Sequence, residues 1–271
     1  MPILKLHPWD VEGEGAVIVA RNAAAFGFSA LAVAVVISRM RFPPSGVLLH
    51  NPRFSVIDID DCQFLGLPST VLPAAGEPFQ QVLPLQQLSD IWEGELLAWF
   101  DFLDSVFLAA QGCQAVIRGR KARTLVCPSH PLVQNAYRKA AKEARNQGAK
   151  GVFLTLRLPA PCECKRCRGG WQPVLNLAEE LANIVGGRVF LESVVGRVEN
   201  RGVIPVVQEG VNPKGAYVNV VVWRRSPDAV RKALRRCFEK GAVDAVCDSY
   251  GVASASVLYA FAGSWRKFHD C

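Results

Sequence analysis

The second half of the chain repeats one pattern, an amphipathic helix, a glycine, then a short apolar strand. That repeat restricts the fold more than any other feature. Residues 132–147 place Val133, Ala136, Tyr137, Ala140, Ala141 and Ala144 on one helical stripe. Gly148 and Gly151 follow, then an apolar run at 152–158. Residues 173–185 repeat the pattern with Val174, Leu177, Ala178 and Leu181, closed by Gly186 and Gly187 before a strand at 188–195. A third unit opens on Ser226-Pro227-Asp228, which supplies an N-cap, a proline at the first position and an acid near the positive end of the dipole. It ends at Gly241, before a strand at 243–247.

Three such units imply an α/β or α+β fold of mixed sheet layers with packed helices. The last part reads as strand, helix, strand, strand, with strands at 217–223, 243–247 and 253–261. That order suits a ferredoxin-like arrangement. The first half is less regular. Strands are expected at 31–37, 47–50 and 54–59, and a long helix at 85–111, where Leu88, Ile91, Trp92, Leu96, Trp99, Phe100 and Leu103 recur at three- and four-residue steps.

Charge divides the chain near Gly112. Residues 1–112 hold five basic and twelve acidic residues, whereas 113–271 hold 26 basic and twelve acidic ones. We therefore read 1–112 as an acidic, apolar-rich half that completes the core or meets a protein partner. Residues 113–271 form a basic half with a polyanionic partner. The uncharged stretch 22–38 is short for a bilayer span and reads as a buried turn entering a strand, so no stable membrane insertion is expected. Residues 1–8 do not form a secretory signal, and nine cysteines without one suit an intracellular, cytoplasmic setting.

Cys162, Cys164 and Cys167 lie within six residues of a loop bounded by proline and glycine. Three thiols at that spacing can converge on one metal, and Zn²⁺ is the expected ion because it accepts four thiolate or imidazole ligands. Cys127 and His130 are the preferred sources of the fourth ligand. An iron–sulfur cluster, a disulfide or bare thiols are the alternatives. A zinc deaminase is excluded, because no histidine has a glutamate two residues later.

The basic residues form groups: Arg118, Arg120, Lys121 and Arg123; Arg138; Lys165, Arg166 and Arg168; Arg224 and Arg225; Arg231, Lys232, Arg235 and Arg236; and Lys267 beside Trp265. Cations with nearby aromatic rings suit phosphates and unpaired bases. The expected partner is therefore nucleic acid, RNA or single-stranded DNA, bound by a non-enzymatic ribonucleoprotein subunit. Asp58, Asp60 and Asp61, after an apolar strand, are weak candidates for a Mg²⁺ site with Asp10, Glu12 or Asp90. They keep open a metal-dependent nuclease or RNA-modifying enzyme, and a structural protein packaging nucleic acid is a third reading. Phosphate-loop, dinucleotide and hydrolase-elbow signatures are absent.

Overall fold

A computed structural model describes residues 1–7, 10–11, 14–36, 55–56, 71–72, 84–105, 108–193, 202–222, 225–248, 250 and 253–269. Eight strands close into one barrel. They are β1 (Ile3–Leu6), β2 (Ala30–Val36), β3 (Glu95–Phe102), β4 (Gly151–Leu156), β5 (Arg188–Ser193), β6 (Val203–Gln208), β7 (Tyr217–Val220) and β8 (Asp244–Cys247). Every neighbouring pair is parallel, and β8 pairs with β1 to close the ring. The described α-helices are α1 (Ala16–Ala25), α2 (Pro84–Ser89), α3 (Pro131–Asn146), α4 (Gln172–Val185), α5 (Pro227–Glu239) and α6 (Ala255–His269), and a short π-helical turn spans Ala109–Cys113. This is a (β/α)8-type barrel, so the expected mixed sheet layers and ferredoxin-like C-terminal part are incorrect. Strands from both sides of the charge boundary share the one sheet, since β3 pairs with β4.

Parallel strands covered by crossover helices are buried on both faces, so their side chains divide between two cores. Ile3, Ala30, Ala32, Ala34, Leu97, Trp99, Phe153, Phe190, Val206, Tyr217 and Val246 form the inner cluster. Their neighbours along the strands, such as Leu4, Leu31, Leu96, Leu154 and Leu191, join the helices in the outer one. The three alanines of β2 leave room for Trp99, Phe153 and Phe190, the large-beside-small filling that a barrel interior requires. Burying each of Phe153 and Phe190 completely contributes roughly 1.5–3 kcal/mol.

The helices form as their sequences dictate. α3 starts with Pro131 and buries Val133, Ala136, Tyr137, Ala140, Ala141 and Ala144. In α5 the Ser226 hydroxyl accepts from the Ala229 N–H at 3.2 Å, as an N-cap does. Gly186 ends α4 in the left-handed conformation, at φ 89°. The next residue, Gly187, lies where a Cβ would fall 1.6 Å from the Lys150 carbonyl oxygen, so β5 can begin beside β4 only with glycine there.

Two expected elements differ. The long helix at 85–111 is α2 followed by β3. The run Glu95–Phe102 is apolar on both strand faces, which imitates helical spacing. The expected strand at 253–261 lies in α6, whose Val257, Leu258 and Phe261 face the core. The expected strand at 47–50 lies outside the described residues. Of that at 54–59, residues 55–56 are described, paired with 71–72. No described helix is long and apolar enough to cross a membrane.

Candidate active site and thiolate centre

The inward line of each strand is apolar in the middle and polar where the strand ends. Lys5, Thr155, Glu192, Gln208 and Asn219 follow Ile3, Phe153, Phe190, Val206 and Tyr217 by two residues each, hence on the same face. Asp101 follows Trp99 and Asp248 follows Val246 in the same way. The carboxyl ends of the barrel strands therefore carry a polar layer over an apolar plug.

Glu192, 2% exposed, organises this layer. Its Oε2 accepts from Lys5 Nζ at 3.1 Å and Thr155 Oγ1 at 2.9 Å, and Trp99 Nε1 donates to Thr155 at 2.9 Å. Its Oε1 accepts from Asn219 Nδ2 at 2.5 Å and from Gln208 Nε2. Four donors saturate the carboxylate. Lys5 Nζ also reaches Asp248 Oδ1 at 3.1 Å and lies 4.1 Å from the Trp99 ring centroid. Asn219 Nδ2 donates to Asp248 as well, at 3.1 Å. Buried in the same place, Asn219 Oδ1 has no hydrogen-bond partner among the described residues.

These contacts set the protonation states. Burial pushes the Lys5 ammonium down, but Glu192 and Asp248 outweigh it and raise its pKa. Burial pushes Asp248 up, but Lys5 and Asn219 outweigh that and hold it below the ordinary carboxylate value. Asp101 goes the other way. Burial raises it by more than the Arg157 guanidinium, 2.9 Å away, lowers it. Burial, then the Lys5 charge, depresses His7 to about 3, so its ring is neutral at pH 7. That ring packs edge-on against Trp99, centroids 5.0 Å apart. Asp248 keeps 31% of its side-chain surface in solvent, against 7% for Asp101.

A second cluster lies over the same end of the barrel, in the connections that follow β3 and β4. After β3 the chain forms a hairpin, Gln114–Ile117 paired with Arg120–Val126. Cys127 follows it directly, and its Sγ lies 3.5 Å from those of both Cys164 and Cys167. All four sulfurs of Cys127, Cys162, Cys164 and Cys167 fall within 4.8 Å of one another. Ligands about 2.3 Å from a tetrahedral Zn²⁺ fit that spacing. The Val116 N–H donates to the Cys162 sulfur at 3.4 Å, and the hydrogen bond from Cys127 heads the causes that bring the Cys162 thiol down to about 5. His130 stands apart, its Nδ1 3.3 Å from the Cys113 sulfur.

The basic residues do not all gather on one surface. Arg118, Arg120, Lys121 and Arg123 lie on the hairpin, and Lys165, Arg166 and Arg168 on the cysteine loop. Arg231, Lys232, Arg235 and Arg236 lie on α5, which follows β7, half-way round the ring from β3. Carboxylates neutralise several of them: Arg138 pairs with Glu180, Arg225 with Glu209, Arg231 with Asp228 and Arg235 with Glu239. Trp265 donates to Asp244 at the opposite end of the barrel, 2.7 Å away. Lys267 is exposed on α6. Asp58, Asp60, Asp61 and Arg224 lie outside the described residues.

The sequence reading missed the mouth residues altogether. Their signal was one polar residue ending each apolar run: LKL, LTL, FLES, VVQ, VNV and AVCD.

No protein-family model matches the chain, and no curated protein matches it. Among solved structures, a tandem GH20 catalytic module of the pneumococcal exo-β-D-N-acetylglucosaminidase StrH superposes with a TM-score of 0.55 at 8% identity. The match covers 98% of this chain and 84% of that one. A GH27 β-L-arabinopyranosidase from Geobacillus stearothermophilus gives 0.57 at 9% identity, covering 99% and 75%. A methyltransferase from Methanosarcina mazei gives 0.55 at 14%, covering 97% and 90%. At these identities the likeness is one of fold. The expectation of a nucleic-acid-binding ribonucleoprotein subunit is thus overturned, with its nuclease, RNA-modifying and packaging variants. The fold is an eight-stranded parallel barrel, the polar groups converge on its mouth, and the cations expected to share one interface are split between the two loops and helices α3 and α5, where several are paired.

Proposed function

We propose that the chain is a carbohydrate-active enzyme, a glycoside hydrolase whose reaction takes place at the carboxyl end of the barrel. The observation that carries this reading is the polar layer around Asn219. A buried acceptor without a donor costs about 1–3 kcal/mol. Asn219 Oδ1 is such an acceptor, next to two carboxylates. A ligand hydroxyl would satisfy it. Barrels of this type place catalysis at that end, and the GH20 and GH27 likeness adds an analogy of fold.

Glycoside hydrolysis needs two carboxyl groups in unlike environments. Asp248, ionised and partly open to solvent, is the base or nucleophile. Asp101, raised by burial, is the proton donor to the leaving oxygen. Lys5, Glu192 and Asn219 are positioning residues that fix Asp248. The test is release of aglycone from a panel of aryl glycosides, with reducing ends measured on oligosaccharides. Asp248→Asn is expected to lose about a thousandfold or more of the rate. Asp101→Asn loses activity but recovers part of it on dinitrophenyl glycosides, which need no proton donor. A folded protein that releases no sugar from the panel, or an active Asp248→Asn variant, would falsify the reading.

We also propose that Cys127, Cys162, Cys164 and Cys167 hold one Zn²⁺. Four protein thiolates leave no open position, so the ion's contribution would be structural, joining the cysteine loop to the base of the hairpin.

A further inference from the structure

Seven exposed cations concentrate on two adjoining loops over the barrel mouth. Arg118, Arg120, Lys121 and Arg123 line the hairpin. Lys165, Arg166 and Arg168 line the cysteine loop. Three hydrogen bonds join the loops: Glu163 N to Val116 O at 2.7 Å, Gly119 N to Glu163 Oε2 at 2.8 Å and Val116 N to Cys162 Sγ at 3.4 Å. The four clustered thiols join them again at the hairpin base. Arg118 and Gly119 both have positive φ, 51° and 72°. A two-residue turn of that kind sets a tight hairpin tip and holds Arg118 at its end.

Elsewhere several surface arginines pair with acids, as Arg138, Arg231 and Arg235 do, and others, such as Arg145 and Arg236, do not form a comparable group. Among the described residues none of these seven cations has a carboxylate within ion-pair distance. The carboxylate between them, Glu163, is engaged by the Gly119 N–H, and an anionic centre of one Zn²⁺ and the four thiolates would offset only part of the positive charge. A folded unit that holds seven like charges together works against their mutual repulsion, and an anionic ligand removes that cost.

Both loops leave the carboxyl ends of β3 and β4, the strands that supply Asp101 and Thr155 to the mouth. A seven-residue strand reaches roughly 20 Å. The hairpin tip is that far from the hairpin base, so its charges suit a chain extending from the mouth better than the sugar undergoing cleavage. Resting on the hydrolase reading above, we infer that the substrate is an acidic polysaccharide, carrying carboxylate or sulfate groups, and that this hairpin and loop form the arm that binds it.

The test measures affinity for polygalacturonate, alginate and dextran sulfate against neutral dextran and laminarin, with poly(U) as a nucleic-acid arm, across a salt series. Two variants are used, Arg120→Glu/Lys121→Glu on the hairpin and Lys165→Glu/Arg166→Glu on the loop, each checked for an unchanged melting temperature. At least one acidic glycan is expected to bind at least about tenfold more tightly than either neutral one. Its affinity should fall with salt, and both variants should lose most of that preference and flatten the salt slope. Equal binding of acidic and neutral glycans overturns the inference. So does tighter binding of poly(U) than of every acidic glycan, or unchanged binding by both variants. Failure of the hydrolase reading has a different signature: acidic glycan is bound, with the expected salt slope, but the wild-type protein releases no reducing ends from any glycan.

Discussion

Lys5→Met tests the central electrostatic claim. The ammonium lies 3.1 Å from Glu192 Oε2 and 3.1 Å from Asp248 Oδ1, and it is 3% exposed. At an effective dielectric of about 20, each contact is worth about 5 kcal/mol of direct attraction. Desolvation of the three groups offsets most of that. What remains on removing the cation is the cost of two carboxylates left together without a counter-charge, about 3–5 kcal/mol at pH 7. For a chain of this size the melting temperature should fall by about 6–20 °C.

The loss should depend on pH in a definite direction. In the wild type the depressed Asp248 contributes stability above its unfolded value, lost as pH falls through the folded one. The raised Lys5 contributes fully below its unfolded value, lost as pH rises through the folded one. Without Lys5 the burial that raises Asp248 loses its main counterweight, so Asp248 favours protonation on folding. The variant should therefore gain stability relative to the wild type as pH drops from 7 towards 5. Urea denaturation at several pH values measures this, and adding Glu192→Gln should recover part of the loss at pH 7. A cost below about 1 kcal/mol, or one independent of pH, would refute the proposed coupling.

Elemental analysis of protein purified without chelator should find about one equivalent of zinc. Cys162→Ser should lower it to under about a tenth, with the hairpin losing hydrogen-exchange protection, whereas full zinc content in the variant would remove Cys162 from the site. Gly187→Ala would drive a methyl group into the Lys150 carbonyl. It should destabilise by about 3 kcal/mol or more, read by chemical denaturation, and a near-neutral result would show that β4 and β5 can separate at their start.

Helices α3, α4 and α5 were legible because each has one wet face, whereas α6 was expected as a strand. α3, α4 and α5 match their expected bounds within one residue, and Ser226 caps α5 as its sequence implies. β3 was not legible, because Leu96, Leu97, Ala98, Trp99 and Phe100 are all buried, alternately inside and outside the barrel. A strand wetted on neither face has no period of two to read. The same physics hid the mouth. Lys5, Glu192 and Asp248 lie far apart in sequence and meet only when the ring closes. The thiol cluster was easier, since three of its four members share one loop and Cys127 was one of the two preferred sources of the fourth, His130 being the other.

The floor of the barrel bears on how any ligand travels. Arg188 pairs with Glu95 at the amino end of β5 and β3, and the Arg188 guanidinium lies 5.4 Å from the Phe190 ring centroid, beneath the apolar plug. Among the described residues the interior is thus packed and closed at that end, which leaves the carboxyl end as the approach. Under the proposed hydrolase reading, substrate and product would therefore share that one approach and compete for it.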